Sequence, residues 1–307
     1  MAADKPLVSI GMPVYNGEKY IRQALDSLLA QDCANFELII SDNASEDGTA
    51  EICREYLTED KRIRYYRNET NLGAVVNFNR VFELSNAKYF MWAADHDLWR
   101  PTFISRCVSV MEEDRNVVLV YPRTMLIDSC GCSLGLTPDQ IDTRGLASVE
   151  RYIQVIWNLG WCNMLYGVIR REVLARTGKA RNIWGFDNAL LAELALRGSF
   201  AQIDEPLFYR RENRPHLEPE MHKKRVLYDL DPATVAERSQ KSVEDLSREL
   251  GDAHLQIVIH APISFLQKVR AGISTVLRFR FLFAQRIAAR FIPKKLRRSI
   301  LSWLQRL

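Results

Sequence analysis

No run of about 18 uncharged apolar residues occurs in the chain, so no membrane-spanning helix is expected from it. The opening residues, Met1-Ala-Ala-Asp-Lys-Pro6, have no apolar stretch behind a basic start and do not read as a secretory signal. Paired cysteines are scarce. The six lie at positions 33, 53, 107, 130, 132 and 162, and only Cys130 and Cys132 are close, with no second pair to complete a zinc site. A reduced, cytoplasmic protein is the expectation. Internal repeats and low-complexity linkers are also missing. With 47% hydrophobic and 26% charged residues the chain has the make-up of a folded globular protein, which sets disorder aside. Acidic residues disappear after Asp252, while residues 253–307 carry 11 lysines and arginines. The net charge of +4 therefore divides into an acidic body and a strongly basic tail.

What is present is a regular alternation of strand and helix patterns. Strands are expected at 7–14, 36–41, 63–67, 89–94 and 117–121. Helices are expected at 17–31, 45–56 and 73–84, and another just after Pro101, a residue suited to a first helical turn. This alternation predicts an α/β fold with a mostly parallel, doubly wound sheet. The middle is less regular. It reads as a hairpin over 124–135 and a helix over 148–159. A strand at 167–171 follows, then a helix over 187–197 stopped by Gly198, and a last strand at 200–210. The expected division is a catalytic domain over 1–220 and a helical, basic extension over 221–307.

Two of these strands end in carboxylates. Phe36-Glu-Leu-Ile-Ile-Ser41 breaks into Asp42-Asn-Ala-Ser-Glu-Asp-Gly48, and Tyr89-Phe-Met-Trp-Ala-Ala94 breaks into Asp95-His96-Asp97. The carboxyl ends of strands are where an open α/β sheet places its ligand. Two carboxylates one residue apart can clamp a hard divalent cation, and that cation can hold a diphosphate. The combination points to a nucleotide-sugar enzyme.

Four segments in register carry a more specific signal: Pro13-Val-Tyr-Asn16 after the first strand, Asp42 to Thr49 after the second, Asn71-Leu-Gly73 after the third, and Asp95-His-Asp97 after the fourth. In this order and spacing they resemble the family-2 glycosyltransferases of the GT-A fold, over roughly residues 6–210. The resemblance implies an inverting, metal-dependent glycosyltransferase that moves a hexosyl or deoxyhexosyl group from a nucleotide-diphosphate sugar to a hydroxyl of a glycan or lipid-linked acceptor. It implies that Asp42 accepts a hydrogen bond from N3–H of a uracil or thymine base, which favours a UDP or dTDP donor. Pro13, Tyr15, Asn16 and Glu18 would wall the donor pocket. Asn71, Gly73 and Asn77 would lie near the diphosphate, where a helix start favours an anion. Asp95 would reach the donor, and Asp95 and Asp97 would bind Mg2+ or Mn2+, with His216 as a further candidate ligand. Asp187, at the start of the 187–197 helix, would be the general base that takes the acceptor proton. Phe78 stands where the family often has a basic residue, and Phe186 stands where an acid usually precedes the base.

Other residues stay open between two readings. Asp42 and Asp187 also suit helix N-caps. Arg210, Arg211 and Arg214 suit diphosphate contact or a solvated basic turn. Trp157, Trp161 and Trp184 suit a sugar platform or the core. In the tail, Leu277, Phe281, Ala284, Ala288 and Phe291 recur at helical spacing, broken from Leu296, Ile300, Trp303, Leu304 and Leu307 by Pro293. Segment 262–307 suits an anionic membrane surface, which would place the protein at the inner face of the cell membrane. It also suits a helical cap or a dimer contact. A nucleotidyltransferase would carry a glycine-rich basic loop where Met12-Pro-Val-Tyr-Asn16 stands. A basic-tailed nucleic-acid or membrane binder would leave the four aspartates without purpose, and no nucleic-acid partner is expected. The Gln-X-X-Arg-Trp signature of processive relatives is missing, so single-step transfer is expected.

Overall fold

The computed structural model describes residues 5–212 and 239–291 of the chain. Strand β1 (Val8–Val14) is an apolar run buried on both faces, as the middle of a parallel sheet requires. β2 (Phe36–Asp42) lies parallel to it, β3 (Ile63–Arg67) lies parallel outside β2, and β4 (Tyr89–Trp92) runs parallel on the far side of β1. The second half of the sheet is mixed. Its strands are β5 (Leu98–Trp99), β6 (Val117–Ile127), β7 (Ser133–Leu136), β8 (Val168–Arg170) and β9 (Ser199–Arg211). The order across the sheet is β3-β2-β1-β4-β8-β6-β9-β5, with β7 paired to β6. β8 is antiparallel to both of its neighbours, whereas β6 and β9 run parallel. The expected parallel, doubly wound half is therefore present, and a mixed half continues it.

Helices cover both faces. α1 (Ile21–Leu29), α2 (Thr49–Glu59) and α4 (Phe103–Glu113) pack over Ile10, Met12, Leu38 and Ile40. On the other face α3 (Ala74–Glu83), α5 (Ser148–Asn158), the short α6 (Arg171–Leu174) and α7 (Phe186–Arg197) enclose Ile39, Phe90, Trp92 and Phe200. Gly11 makes one of these approaches possible. A Cβ there would lie 2.7 Å from Val81 of α3 and 2.8 Å from the Phe90 ring, so any side chain would push helix from sheet.

Two further helices, α8 (Val243–His260) and α9 (Phe265–Phe291), extend the same core. α8 opens with a capping box in which Ser242 and Asp245 exchange side-chain-to-backbone hydrogen bonds. Its buried stripe of Leu250, Ile257 and Val258 packs with Val149, Ile156, Ala189 and Leu196 of α5 and α7. α9 adds Ala271 to that cluster, and Trp157 of α5 donates to Ser274 Oγ at 2.9 Å. Of the expected tail, the described part is thus docked on the α/β body. The break at Pro293 and the apolar positions from 296 onward lie outside the described residues.

The junction of these helices is polar. His254 of α8 is wholly buried, sits 3.0 Å from Asn188 Oδ1 of α7 and 3.3 Å from the Tyr152 hydroxyl of α5, and that hydroxyl meets Thr275 Oγ1 of α9 at 2.7 Å. Burial drives the His254 pKa down from 6.5 to about 3, with the Arg181 charge acting in the same sense. The folded imidazole is therefore neutral. As pH falls, the unfolded state takes up the proton first, so this contribution is intact above about pH 6.5 and erodes between there and about pH 3. Urea unfolding at pH 6.5 and 4.5 should show the wild type losing about 1 kcal/mol per pH unit more than His254→Gln. Parallel pH slopes for the two proteins would contradict this.

Candidate donor and catalytic site

The parallel register aligns Val14, Asp42 and Arg67 at the carboxyl edge of the sheet. The loops leaving β1 and β2 are stitched together there. Asn16, with φ 53°, donates its N–H to Ser45 Oγ at 2.9 Å and accepts from Glu46 N–H at 2.8 Å. Gly17 N–H donates to Thr49 Oγ1 at 2.8 Å, and Glu18 accepts from Gly48 N–H at 3.0 Å. The side chains of Asn16 and Glu18 hold this pair of loops in shape.

Asp42 is wholly buried beneath them. One oxygen accepts from Ser45 N–H at 2.8 Å, and the other accepts from the Tyr65 hydroxyl at 2.7 Å and the Arg67 guanidinium at 2.6 Å. Burial pulls this carboxyl up, but the bonds from Ser45, Tyr65 and Arg67 together hold it below the ordinary carboxylate range. Arg67 keeps 37% of its side chain exposed, so it is the outward-facing member of the group. The sequence reading passed over Tyr65 and Arg67. Their period-two spacing puts both on one face of β3, and the register of β3 on β2 makes them partners of Asp42.

Beside this group lies a cleft of about 120 Å³, lined among others by Pro13, Tyr15, Asn43, Asn71, Gly73 and Asn77. Five of the nine expected donor residues thus share one hollow. Its floor is an amide network. Asn43 donates to Asn71 at 2.7 Å and accepts from Asn68 at 2.8 Å and from Leu72 N–H at 2.9 Å. Asn77 accepts from Ser41 Oγ at 2.6 Å and donates to Ser41 O at 2.8 Å, so it is buried and fixed from below. Gly73 at φ 83° opens α3, leaving backbone without a side chain at the cleft wall.

Asp95 borders the same loops, since a Cβ on Gly17 would fall 2.3 Å from its carboxylate. The other Asp95 oxygen meets His96 Nδ1 at 2.7 Å. Asp97 is buried, and its Oδ1 accepts the Arg211 N–H at 2.7 Å. The two-residue strand β5 produces that contact by pairing Leu98 with Tyr209 and Trp99 with Phe208 of β9. Burial raises the Asp97 pKa. Burial works against the charged form of His96, but its hydrogen bond to Asp95 and the charges of Asp97 and Asp95 raise its pKa all the same. The Arg211 guanidinium is spent on the backbone oxygens of His96, Asp128 and Ser129 and on Gln23, so it positions this turn and does not face the cleft. Arg210 donates instead to Trp161 O at 2.8 Å and Asn163 Oδ1 at 2.6 Å.

Asp187 occupies the first turn of α7 after Gly185, and one of its oxygens accepts the Asn188 N–H at 2.8 Å. Cys162 has a left-handed conformation with φ 55°; burial pushes its thiol's pKa up, and the Asp187 charge adds to it. Trp184 packs against Val75, Ala180 and Leu246, and Trp157 lies at the α9 contact; Trp161 alone of the three is in the exposed class. His216, His222 and Arg214 lie outside the described residues. Among the described residues no group of three or more histidine, cysteine or acidic side chains gathers as a metal site. The Asp95–Asp97 pair supplies two carboxylates.

The curled, mostly parallel sheet flanked by helices has the GT-A fold, and solved structures share that fold. TarS of S. aureus, crystallised with UDP, matches with a TM-score of 0.54 at 16% identity over 89% of each chain. The mannosyltransferase PcManGT of Pyrobaculum calidifontis, solved with GDP-Man and Mn2+, matches with a TM-score of 0.51 at 16% identity, over 97% of this chain and 79% of that one. Residues 9–129 match the model of Glycosyl transferase family 2. An uncharacterised glycosyltransferase of Rickettsia typhi is 36% identical over 137 residues, which are 44% of this chain and 42% of that protein. Another, from Methanocaldococcus jannaschii, is 33% identical over 130 residues, 42% of this chain and 45% of that protein. The chain thus spans less than half the length of these relatives.

Asp42→Ala strips an acceptor from Ser45, Tyr65 and Arg67 together. A stability loss of about 2–4 kcal/mol is expected in urea unfolding at pH 7. Because the folded carboxyl sits below its ordinary pKa of 3.8, the difference from wild type should be full above that pH and shrink as pH drops through the lower folded value. An unchanged midpoint at pH 7 would refute the anchoring role.

Proposed function

We propose that the chain is an inverting, metal-dependent glycosyltransferase that moves one hexosyl or deoxyhexosyl group from a nucleotide-diphosphate sugar, UDP or dTDP favoured, to a hydroxyl of a glycan or lipid-linked acceptor. The observation that carries this is the meeting of the stitched β1 and β2 loops, the amide-floored cleft and Asp95 at one sheet edge. The UDP bound by TarS and the GDP-Man bound by PcManGT support a donor of this class. The base and ribose would enter against Pro13 and Tyr15, with Arg67 displayed by Asp42 beside them, and the diphosphate would run past Asn71 and Gly73.

The carboxylate pair fits Mg2+ or Mn2+. Asp97 is a buried carboxylate that meets His96 at 4.0 Å and has no ion pair to a lysine or arginine among the described residues, so its negative charge calls for a cation. Asp95 and Asp97 would hold the ion, which supplies charge to balance the leaving diphosphate. Asp187 takes the proton from the acceptor hydroxyl. The acceptor oxygen bonds to the anomeric carbon on the face opposite the diphosphate, and the bond to the diphosphate breaks with its electron pair leaving on that group. His96 orients Asp95, and Arg211 N–H fixes Asp97.

With UDP- and dTDP-sugars and Mn2+, donor turnover should be measurable and abolished by EDTA. Asp187→Asn should lower kcat by about 10²–10⁴-fold with little change in donor KM. Turnover that persists in EDTA, or an Asp187→Asn protein with wild-type kcat, would refute the assignment.

We also propose contact between segment 262–307 and an anionic membrane from the cytoplasmic side. No described helix is long and apolar enough to cross a membrane. α9 nevertheless leaves Leu266, Val269, Ile273 and Leu277 exposed along one face, in a segment that has basic but no acidic residues. Vesicles containing phosphatidylglycerol should sediment the protein, and Ile273→Asp with Leu277→Asp should release it. Equal binding to neutral vesicles, or none to either, would refute the proposal.

A further inference from the structure

Trp161 stands out among the aromatic side chains near the site. It is 38% exposed, and its surroundings fix it. Its N–H donates to the Asp139 carboxylate at 3.1 Å, and its carbonyl accepts from Arg210 at 2.8 Å. The same guanidinium lies 5.6 Å from the indole centre, which holds the ring as well as the backbone. Arg210 is followed in β9 by Arg211, whose N–H holds Asp97 at 2.7 Å. Asp139 and Asn163 are themselves buried and joined at 3.5 Å, so the mount is rigid. An exposed indole is thus fixed beside the end of β9 that holds Asp97.

We propose that Trp161 is the acceptor subsite, and that the group it receives is a pyranose ring whose C–H face lies on the indole while its hydroxyl reaches Asp187. This rests on the glycosyltransferase reading above and narrows its acceptor to a sugar, as opposed to a simple alcohol or the headgroup of an unglycosylated lipid. A large rigid aromatic surface recognises the apolar face of a sugar at low entropic cost. Its polar neighbours, Asp139 and Arg210, are already committed to the mount, so the ring is the free recognition element. The wider sequence pattern offered three tryptophans for this role. Packing removes Trp157 and Trp184 from it and leaves Trp161.

The test compares methyl glucoside, galactoside and mannoside with glycerol as acceptors, and scores transfer against donor hydrolysis. Wild type should use at least one pyranoside in preference to glycerol. Trp161→Ala should lower the ratio of pyranoside transfer to donor hydrolysis about tenfold, through acceptor KM, and Trp161→Phe should recover most of it. The same pyranoside should change the tryptophan fluorescence of wild type saturably and not that of Trp161→Phe. This second reading also decides the matter if the alanine variant does not fold. Unchanged acceptor KM in Trp161→Ala, or an equal fluorescence response in Trp161→Phe, would overturn the subsite. A wild type that neither hydrolyses nor transfers from any donor would instead overturn the glycosyltransferase reading.

Discussion

Buried negative charge at the carboxyl edge of the sheet is the constraint around which this protein is arranged. A carboxylate removed from water must find donors or a cation. Asp42 finds them inside the protein, in Ser45, Tyr65 and Arg67. Asp97 receives one backbone N–H and a histidine at ion-pair limit, and no lysine or arginine among the described residues pairs with it. The two aspartates are alike in burial and differ in compensation. That difference separates an internal anchor from a position suited to a cation.

The two halves of the sheet divide the work. The parallel half, β3-β2-β1-β4, lines up strand ends so that successive loops meet and can be tied by side chains from Asn16, Ser45, Thr49 and Asn43. The mixed half brings distant segments to the same edge. β5 clips Asp97 to β9, and α7 delivers Asp187. α8 and α9 brace α7 from behind through apolar contacts and through the neutral His254, which reaches the residue next to the proposed base. Two α9 arginines face the docked side, where Arg278 donates to Ile156 O at 2.9 Å and Arg270 pairs with Glu150.

Much of this was legible in the chain. Short apolar runs such as Phe36–Ser41 suit strands covered on both faces, and their abrupt ends in Asp42 and Asp95 mark the edge where open α/β sheets place ligands. Periodicity placed α7 and its Gly198 stop to within a residue. β5 was not legible, because two residues carry no period and form a strand only where β9 offers an edge. α8 falls within the extension expected to be helical over 221–307, but its bounds were not assigned, for a related reason. Its buried stripe is interrupted by Gly251 and by a histidine that makes sense only beside Asn188 and Tyr152.

The amino-acid order by itself determined the parallel sheet, the strand-end carboxylates and the division of charge, since these follow from local period and composition. Only the tertiary structure decided which groups face one another. Arg67 and Tyr65 belong to Asp42 because β3 happens to lie beside β2 in that register. Trp161 is free while Trp157 and Trp184 are packed because helices far apart in sequence cover the latter two. Contacts of that kind depend on long-range register and on which faces are buried, and no local pattern in a chain encodes them.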